Sequence, residues 1–175
     1  MFMQKVAVIG ICGAGKSTLS NVLGKSTGLP VVYLDQIFWK SGWVESERED
    51  FRKRVAEIAD SERWIIDGNF SSTFDIRFPR ADTIIYLDFP RHIALFRAIK
   101  RILSYYGKSR PDVTPGCHER FNLDFFRFIL SFHDLHRPRI ETALAKLRSD
   151  QKLIRLKTPA EVTSFLNSLL LREND

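Results

Sequence analysis

Apolar residues in this chain collect in five short runs, and the longer stretches between them carry apolar positions three or four residues apart. The segments Val6 to Ile9, Val31 to Leu34, Trp64 to Ile66, Asp82 to Asp88 and Lys152 to Leu156 read as strands, bounded by Gly, Pro and Asp. Helices are predicted between them. The first spans Thr18 to about Thr27 and stops at Gly28-Leu29-Pro30. A second starts at Ser46, with Glu49 completing a capping box and Phe51, Val55, Ile58 and Ala59 on one face. Pro90 introduces a third, from Arg91 to about Tyr105. Asn122 caps a fourth through Phe132, with Leu123, Phe126, Ile129 and Leu130 inward, and Pro138 opens a fifth to about Arg148. Thr158-Pro159-Ala160-Glu161 starts the last, which turns Val162, Phe165, Leu166 and Leu169 to the core. Strand and helix in alternation predict a three-layer α/β/α fold on a five-stranded parallel sheet with right-handed crossovers, as one domain over residues 1–175.

Between the first strand and the first helix stand Gly10, Ile11, Cys12, Gly13, Ala14, Gly15, Lys16 and Ser17, followed by Thr18. This octapeptide fits the pattern G-x-x-x-x-G-K-[ST], in which glycines let backbone N–H groups wrap a phosphate closely. The helix N-terminus behind it adds partial positive charge to the same anion. Residues 10–18 are therefore expected to bind the triphosphate of ATP, with Lys16 reaching the β and γ phosphates and Ser17 holding Mg²⁺.

Two carboxylates end strands that point the same way as this loop. Asp35 follows the second strand, where it reads as a base on an acceptor hydroxyl, as a distant partner of Mg²⁺, or as a turn aspartate. Asp67 closes the third strand, where it reads either as the residue from which loop proteins of this kind reach Mg²⁺, usually through water, or as part of a turn built on Asp67-Gly68. Gly68 beside it allows close approach of backbone or substrate. Between the two carboxylates lies an aromatic, loop-like stretch, Gln36 to Val44, whose Trp39 and Trp43 read either as a stacking wall or as packing. Arg77 and Arg80 read as grips for an acceptor anion or as surface pairs.

Composition changes this picture in one respect. The net charge is +6, and residues 91–139 hold ten Lys and Arg against four acidic residues, which accounts for the whole excess. Such a field suits a polyphosphate and also nucleic acid. Within it, residues 104–120 read as a mobile basic lid that closes on the transferring phosphate, with Arg101, Arg110, Arg120 and, from the next element, Arg137 as candidate phosphate contacts. Cys12 and Cys117 lack a paired spacing, and Cys117-His118 and His133-x-x-His136 lack the spacing of a zinc site. No apolar run approaches a membrane span and Met1 to Lys5 leads straight into the first strand, so a cytoplasmic location without membrane contact is expected. Monomer and homodimer stay open.

Over nearly its whole length the chain resembles the adenylate-kinase-like proteins known as DNA topology modulation proteins. The resemblance rests on Leu34-Asp35-Gln36-Ile37-Phe38-Trp39, on Gly42-Trp43, on Trp64-Ile65-Ile66-Asp67-Gly68-Asn69-Phe70, and on Arg77 followed by Ala81-Asp82-Thr83-Ile84-Ile85. It implies a nucleoside monophosphate kinase fold with sheet order 2-3-1-4-5, ATP and Mg²⁺ as ligands, and a basic lid. Adenylate kinases carry Gly-Phe-Pro-Arg directly after the third strand, whereas Phe78-Pro79-Arg80 lies further along here. The reading is a kinase that moves the γ-phosphoryl of ATP to a nucleotide, nucleoside or other hydroxylated acceptor. DNA, as partner of a nucleotide-gated regulator, is the alternative, without any helix-turn-helix or zinc-finger spacing to favour it.

Overall fold

The computed structural model describes residues 3–172. Its main sheet has five parallel strands: β1 (Lys5–Gly10), β2 (Val31–Tyr33), β3 (Trp64–Asp67), β4 (Thr83–Leu87) and β5 (Lys152–Leu156). They lie in the order β2-β3-β1-β4-β5, the order the resemblance implied. Consecutive residues of the three central strands, among them Val6 to Ile9, Ile65, Ile66, Ile84 and Ile85, are wholly buried. Since neighbours on a strand point to opposite faces, both faces of the sheet are covered, and the molecule has three layers.

Eight helices are described: α1 (Lys16–Thr27), α2 (Leu34–Phe38), α3 (Arg48–Asp60), α4 (Phe74–Arg77), α5 (Arg91–Tyr105), α6 (Leu123–Leu135), α7 (Arg137–Leu144) and α8 (Pro159–Arg172). Several depart from the sequence expectation. The second strand yields to α2 at Leu34, and the loop-like stretch becomes this helix plus a small antiparallel ribbon pairing Trp39 with Glu45 and Lys40 with Val44. Ser46 does not cap α3, because its hydroxyl donates instead to the Ile37 carbonyl (3.1 Å) and so ties α2 to the chain entering α3. Asn122 does cap α6, its side chain accepting from the Asp124 and Phe125 amides. That helix is turned from the expected face: Ile129 and Phe132 are buried, while Leu123 and Leu130 are exposed. It is apolar on most sides, so its period does not single out one face. At α8 the Glu161 amide donates to Thr158 Oγ1 (3.2 Å) and the Glu161 carboxylate accepts from the Lys157 amide (2.8 Å).

Arg77 neither grips an anion nor pairs on the surface. Wholly buried, it donates to Thr73 Oγ1 (3.0 Å), the Gly68 carbonyl (3.0 Å) and the Asn69 carbonyl (2.9 Å), while its guanidinium lies 5.4 Å from the Phe74 ring. It bolts α4 beneath the turn that leaves β3. Burial pushes this guanidinium down to about 9, with Asp67 opposing. Arg80 pairs with Asp60 on the surface (2.6 Å).

Candidate active site

The strands end together on one side, and there the connections form a single cleft of about 1250 Å³. Sites for one small ligand usually span about 300–1,000 Å³, so this one has room for two molecules side by side. The phosphate-type loop leaves β1, the middle strand, and sits at the centre of the cleft. Its glycines have positive φ, 89° at Gly13 and 94° at Gly15. Gly13 is required twice over, because a β-carbon there would also run into the Ala94 carbonyl oxygen where α5 packs on the loop. Cys12 through Thr18 line the cleft. Gly10 and Ile11 lie beneath, with Ile11 buried and its carbonyl accepting from Lys16 Nζ (3.2 Å), which holds the ammonium over the loop.

Asp67 and Gly68 face this centre. The register of β3 sets Asp67 against Val8 on one side and Tyr33 on the other, just below the loop. Burial pushes the Asp67 carboxyl up to about 7, against the pull of Lys16 and the Ser17 hydroxyl, with Asp35 adding to the rise. Its Oδ1 is buried without a hydrogen-bond partner, as is Oδ1 of Asn69, another lining residue. A buried oxygen left unpaired costs about 1–3 kcal/mol, so a ligand that brings donors or a cation is what this pair lacks. A carboxylate beside a loop serine is also a donor set that suits Mg²⁺, which takes one or two protein oxygens and fills its shell with phosphate and water. At Gly68 the limit is packing: a β-carbon would stand 2.8 Å from Leu34 Cβ.

Toward the β2 edge the lining is aromatic and acidic, with Tyr33, Asp35, Trp39, Trp43 and Glu45. Both indoles line the cleft and pack edge to face on one another at 5.5 Å, while Trp39 also meets Phe38 edge to face at 4.8 Å. Trp43 is held at φ 64°, a left-handed conformation that costs a bulky side chain about 1–2 kcal/mol. It is the third residue of the ribbon's loop, where glycine is the ordinary choice. Burial raises the Asp35 carboxyl above its usual range, opposed by Lys16 and Arg110.

Toward the β5 edge the lining is apolar, from Phe125, Phe128 and His136 near α6 and from Pro159, Val162 and Leu166 on α8. An apolar wall of this kind suits a flat ring.

Residues 104–120 lie across the β2 end rather than standing free. Gln36 Nε2 donates to the Pro111 carbonyl (2.7 Å), Thr114 Oγ1 to the Trp39 carbonyl (2.5 Å), the Gly42 amide to the Gly116 carbonyl (3.2 Å) and Trp43 Nε1 to the His118 carbonyl (2.9 Å). Arg101, Arg110 and Arg120 all line the cleft. Arg110 is paired with Asp112 (2.6 Å), and the buried Glu119 lies between Arg110 (2.6 Å) and Arg101 (3.2 Å). Arg137 is placed elsewhere. It bonds Asp88 (2.9 Å), which also takes Arg155 (3.1 Å), and it is not among the lining residues. Arg97, which shares a helix face with Arg101, is a further cation at the site that the candidate phosphate contacts did not include. It lines the cleft and donates to the Ala14 carbonyl (3.1 Å), and its spacing of four from Arg101 was the available signal. Asp112 and Glu119 were missed too, since nothing in the sequence says which basic residues a distant carboxylate will occupy.

Comparison with solved structures gives the same architecture. Shikimate kinase from Bacteroides thetaiotaomicron is similar at 18% identity and TM-score 0.56, over 99% of this chain and 100% of that one. Shikimate kinase from Acinetobacter baumannii, in complex with shikimate, is similar at 16% identity and TM-score 0.55, over 99% of this chain and 96% of that one. Deoxyadenosine kinase from M. mycoides is similar at 15% identity and TM-score 0.51, over 97% and 98%. At these identities the likeness establishes the P-loop kinase fold. No curated protein matches the chain in sequence. Residues 6–104, more than half the chain and the part that carries the loop, α5 and four of the five strands, match the AAA domain family, and the chain belongs to that family.

Proposed function

We propose that this protein is a small-molecule kinase that transfers the γ-phosphoryl group of ATP to a hydroxyl-bearing acceptor. The observation that carries the proposal is the layout of the cleft: a phosphate-type loop at its centre, an apolar end on one side, and Asp35 among aromatic rings on the other. ATP would lie with its base between α6 and α8 and its triphosphate over residues 10–18. Lys16 and Arg97 neutralise charge at the loop and Arg120 does so from above, while Arg101 and Arg110 stand beside it with their charge already balanced by Glu119 and Asp112. Ser17 and Asp67 are the residues that would hold Mg²⁺, which when bound neutralises charge on the β and γ phosphates. Asp35 orients the acceptor hydroxyl and takes its proton as the oxygen forms its bond to the γ-phosphorus and the bridging P–O bond to ADP breaks. A carboxyl raised by burial is a better base near neutral pH than an ordinary one.

We also infer that residues 104–120 are a lid, here lowered onto the Trp39–Trp43 ribbon, and that the chain's finer kinship is with the topology modulation proteins, on the Leu34–Trp39 and Trp64–Phe70 motifs. Arg137 has no part in this scheme, since Asp88 engages it outside the cleft.

The test is ADP formation across a panel of nucleosides, nucleoside monophosphates, sugars and sugar acids. At least one acceptor is expected to raise turnover well above the reaction with water. Lys16→Ala should abolish that gain without unfolding the chain. Asp35→Asn should cut turnover by about 10²–10⁴-fold while leaving ATP affinity nearly unchanged. Full activity in either variant would remove the assigned role.

A further inference from the structure

The charges in the cleft restrict what the acceptor can be. Its lining holds five cations, Lys16, Arg97, Arg101, Arg110 and Arg120. Five carboxylates oppose them: Asp35, Glu45, Asp67, Asp112 and Glu119. The basic excess of residues 91–139 is therefore absent from the cleft itself, and the distribution is uneven. Lys16 and Arg97 are bonded to carbonyls of the loop, where the triphosphate would lie. Arg110 and Arg101, which act on Asp35 together with Lys16, are occupied by Asp112 and Glu119. Asp35 and Glu45, at the β2 end, have no cationic partner within 4.0 Å among the described residues. An acceptor entering there meets two unpaired carboxylates and two indoles. A phosphate or carboxylate on that acceptor would meet like charge at Asp35 and Glu45 with Arg101 and Arg110 already engaged and with Arg120 serving the triphosphate in the kinase reading, an arrangement by which binding sites refuse a wrong partner.

The ribbon supplies the attractive half. The chain places an indole at Trp43 in a backbone conformation that glycine would adopt without strain, and strain kept at the wall of a cleft points to a role for the side chain itself. Its Nε1 is satisfied by the His118 carbonyl, so the indole is fixed in place with its ring beside that of Trp39.

We infer that the acceptor is an uncharged, ring-bearing alcohol seated against Trp39 and Trp43, and that Asp35 and Glu45, with Arg101 and Arg110 already engaged, exclude acceptors carrying a phosphate or carboxylate. This rests on the kinase reading and narrows its acceptor from any hydroxylated compound to one without negative charge.

The experiment uses matched probes on the full chain: nucleosides against their 5′-monophosphates, and ring hydroxy acids against their methyl esters. Binding is read by tryptophan fluorescence and transfer by ADP release. Only three tryptophans are present, and Trp64 is buried in the sheet, so it contributes a constant background. In the pair that binds, the uncharged member is expected to bind at least about tenfold more tightly and to be the one phosphorylated. Glu45→Gln, an exposed change that leaves the fold alone, and Glu119→Gln, which releases Arg101 while Asp112 keeps its hold on Arg110, should each raise affinity for the acidic member several-fold. Trp43→Gly removes the strained conformation and should weaken the uncharged probe about tenfold without altering ATP affinity. An acidic member that binds more tightly and accepts phosphate would overturn the inference while leaving the kinase intact. ATP bound with no probe phosphorylated would remove both.

Discussion

Asp67 shows how far one side chain's surroundings reach. In an unfolded chain its carboxyl ionises near 4, and in the fold burial holds it at about 7. Between those pH values the folded state keeps a proton that the unfolded chain has lost. The contribution of this group to stability is therefore complete below about pH 4 and is lost as the pH rises to 7. Asp67→Asn is expected to be more stable than the wild type at pH 8, by roughly 2–4 kcal/mol for a shift of this size, with the gap closing as the pH falls. Urea denaturation at a series of pH values measures it, and a gap independent of pH would contradict the assigned cause. That Asp67 matters was legible in the sequence, because a carboxylate closing an apolar strand is a local pattern. The state of Asp35 was not. It is set first by burial, then by Lys16, Arg110 and Asp112, the last two some seventy-five positions along the chain, and all of these act only through the fold.

At the scale of elements, the strands and long helices were readable because their periods are local and strong, and the five strands fall within a residue or two of where the apolar runs put them. The short connections were not. Helix α2, the Trp39–Lys40 ribbon and α4 are each too brief to show a period, and they are held by tertiary bonds such as that from Ser46 to Ile37. Arg77 is the clearest case, since its charge suggested a ligand while its place in α4 makes it a bolt for the turn carrying Asp67, Gly68 and Asn69. Arg77→Ala leaves at least two carbonyls unpaired in the interior and should destabilise by about 3–5 kcal/mol. In a chain of this length that lowers Tm by roughly 10 °C. Arg77→Lys should recover little, because one ammonium cannot span the same acceptors as a planar fork. A thermal melt within 2 °C of wild type, about the shift expected from under 1 kcal/mol, would show that α4 is held by something else.

The whole molecule joins two unequal halves across one loop. The β5 side offers apolar walls and the β2 side offers rings and carboxylates, and the segment 104–120 is bonded to the second. The sequence placed the positive excess correctly in residues 91–139, yet its meaning changes once the partners are known. Arg91, Arg101, Arg110, Arg127 and Arg137 all lie beside carboxylates, so five of the ten cations are already engaged. What the field does at the cleft is balance, and the attraction for a triphosphate is concentrated at the loop amides, Lys16 and Arg97. Everything proposed for the site depends on those amides taking the phosphates. The most direct measurement is the backbone ¹⁵N–¹H spectrum of the full chain titrated with Mg²⁺ and a non-hydrolysable ATP analogue. The largest shifts are expected at Gly13, Gly15, Lys16, Ser17 and Thr18, with smaller ones at Asp67 and Gly68, all saturating together and absent in Lys16→Ala. Saturable shifts that leave residues 10–18 unmoved would contradict the account.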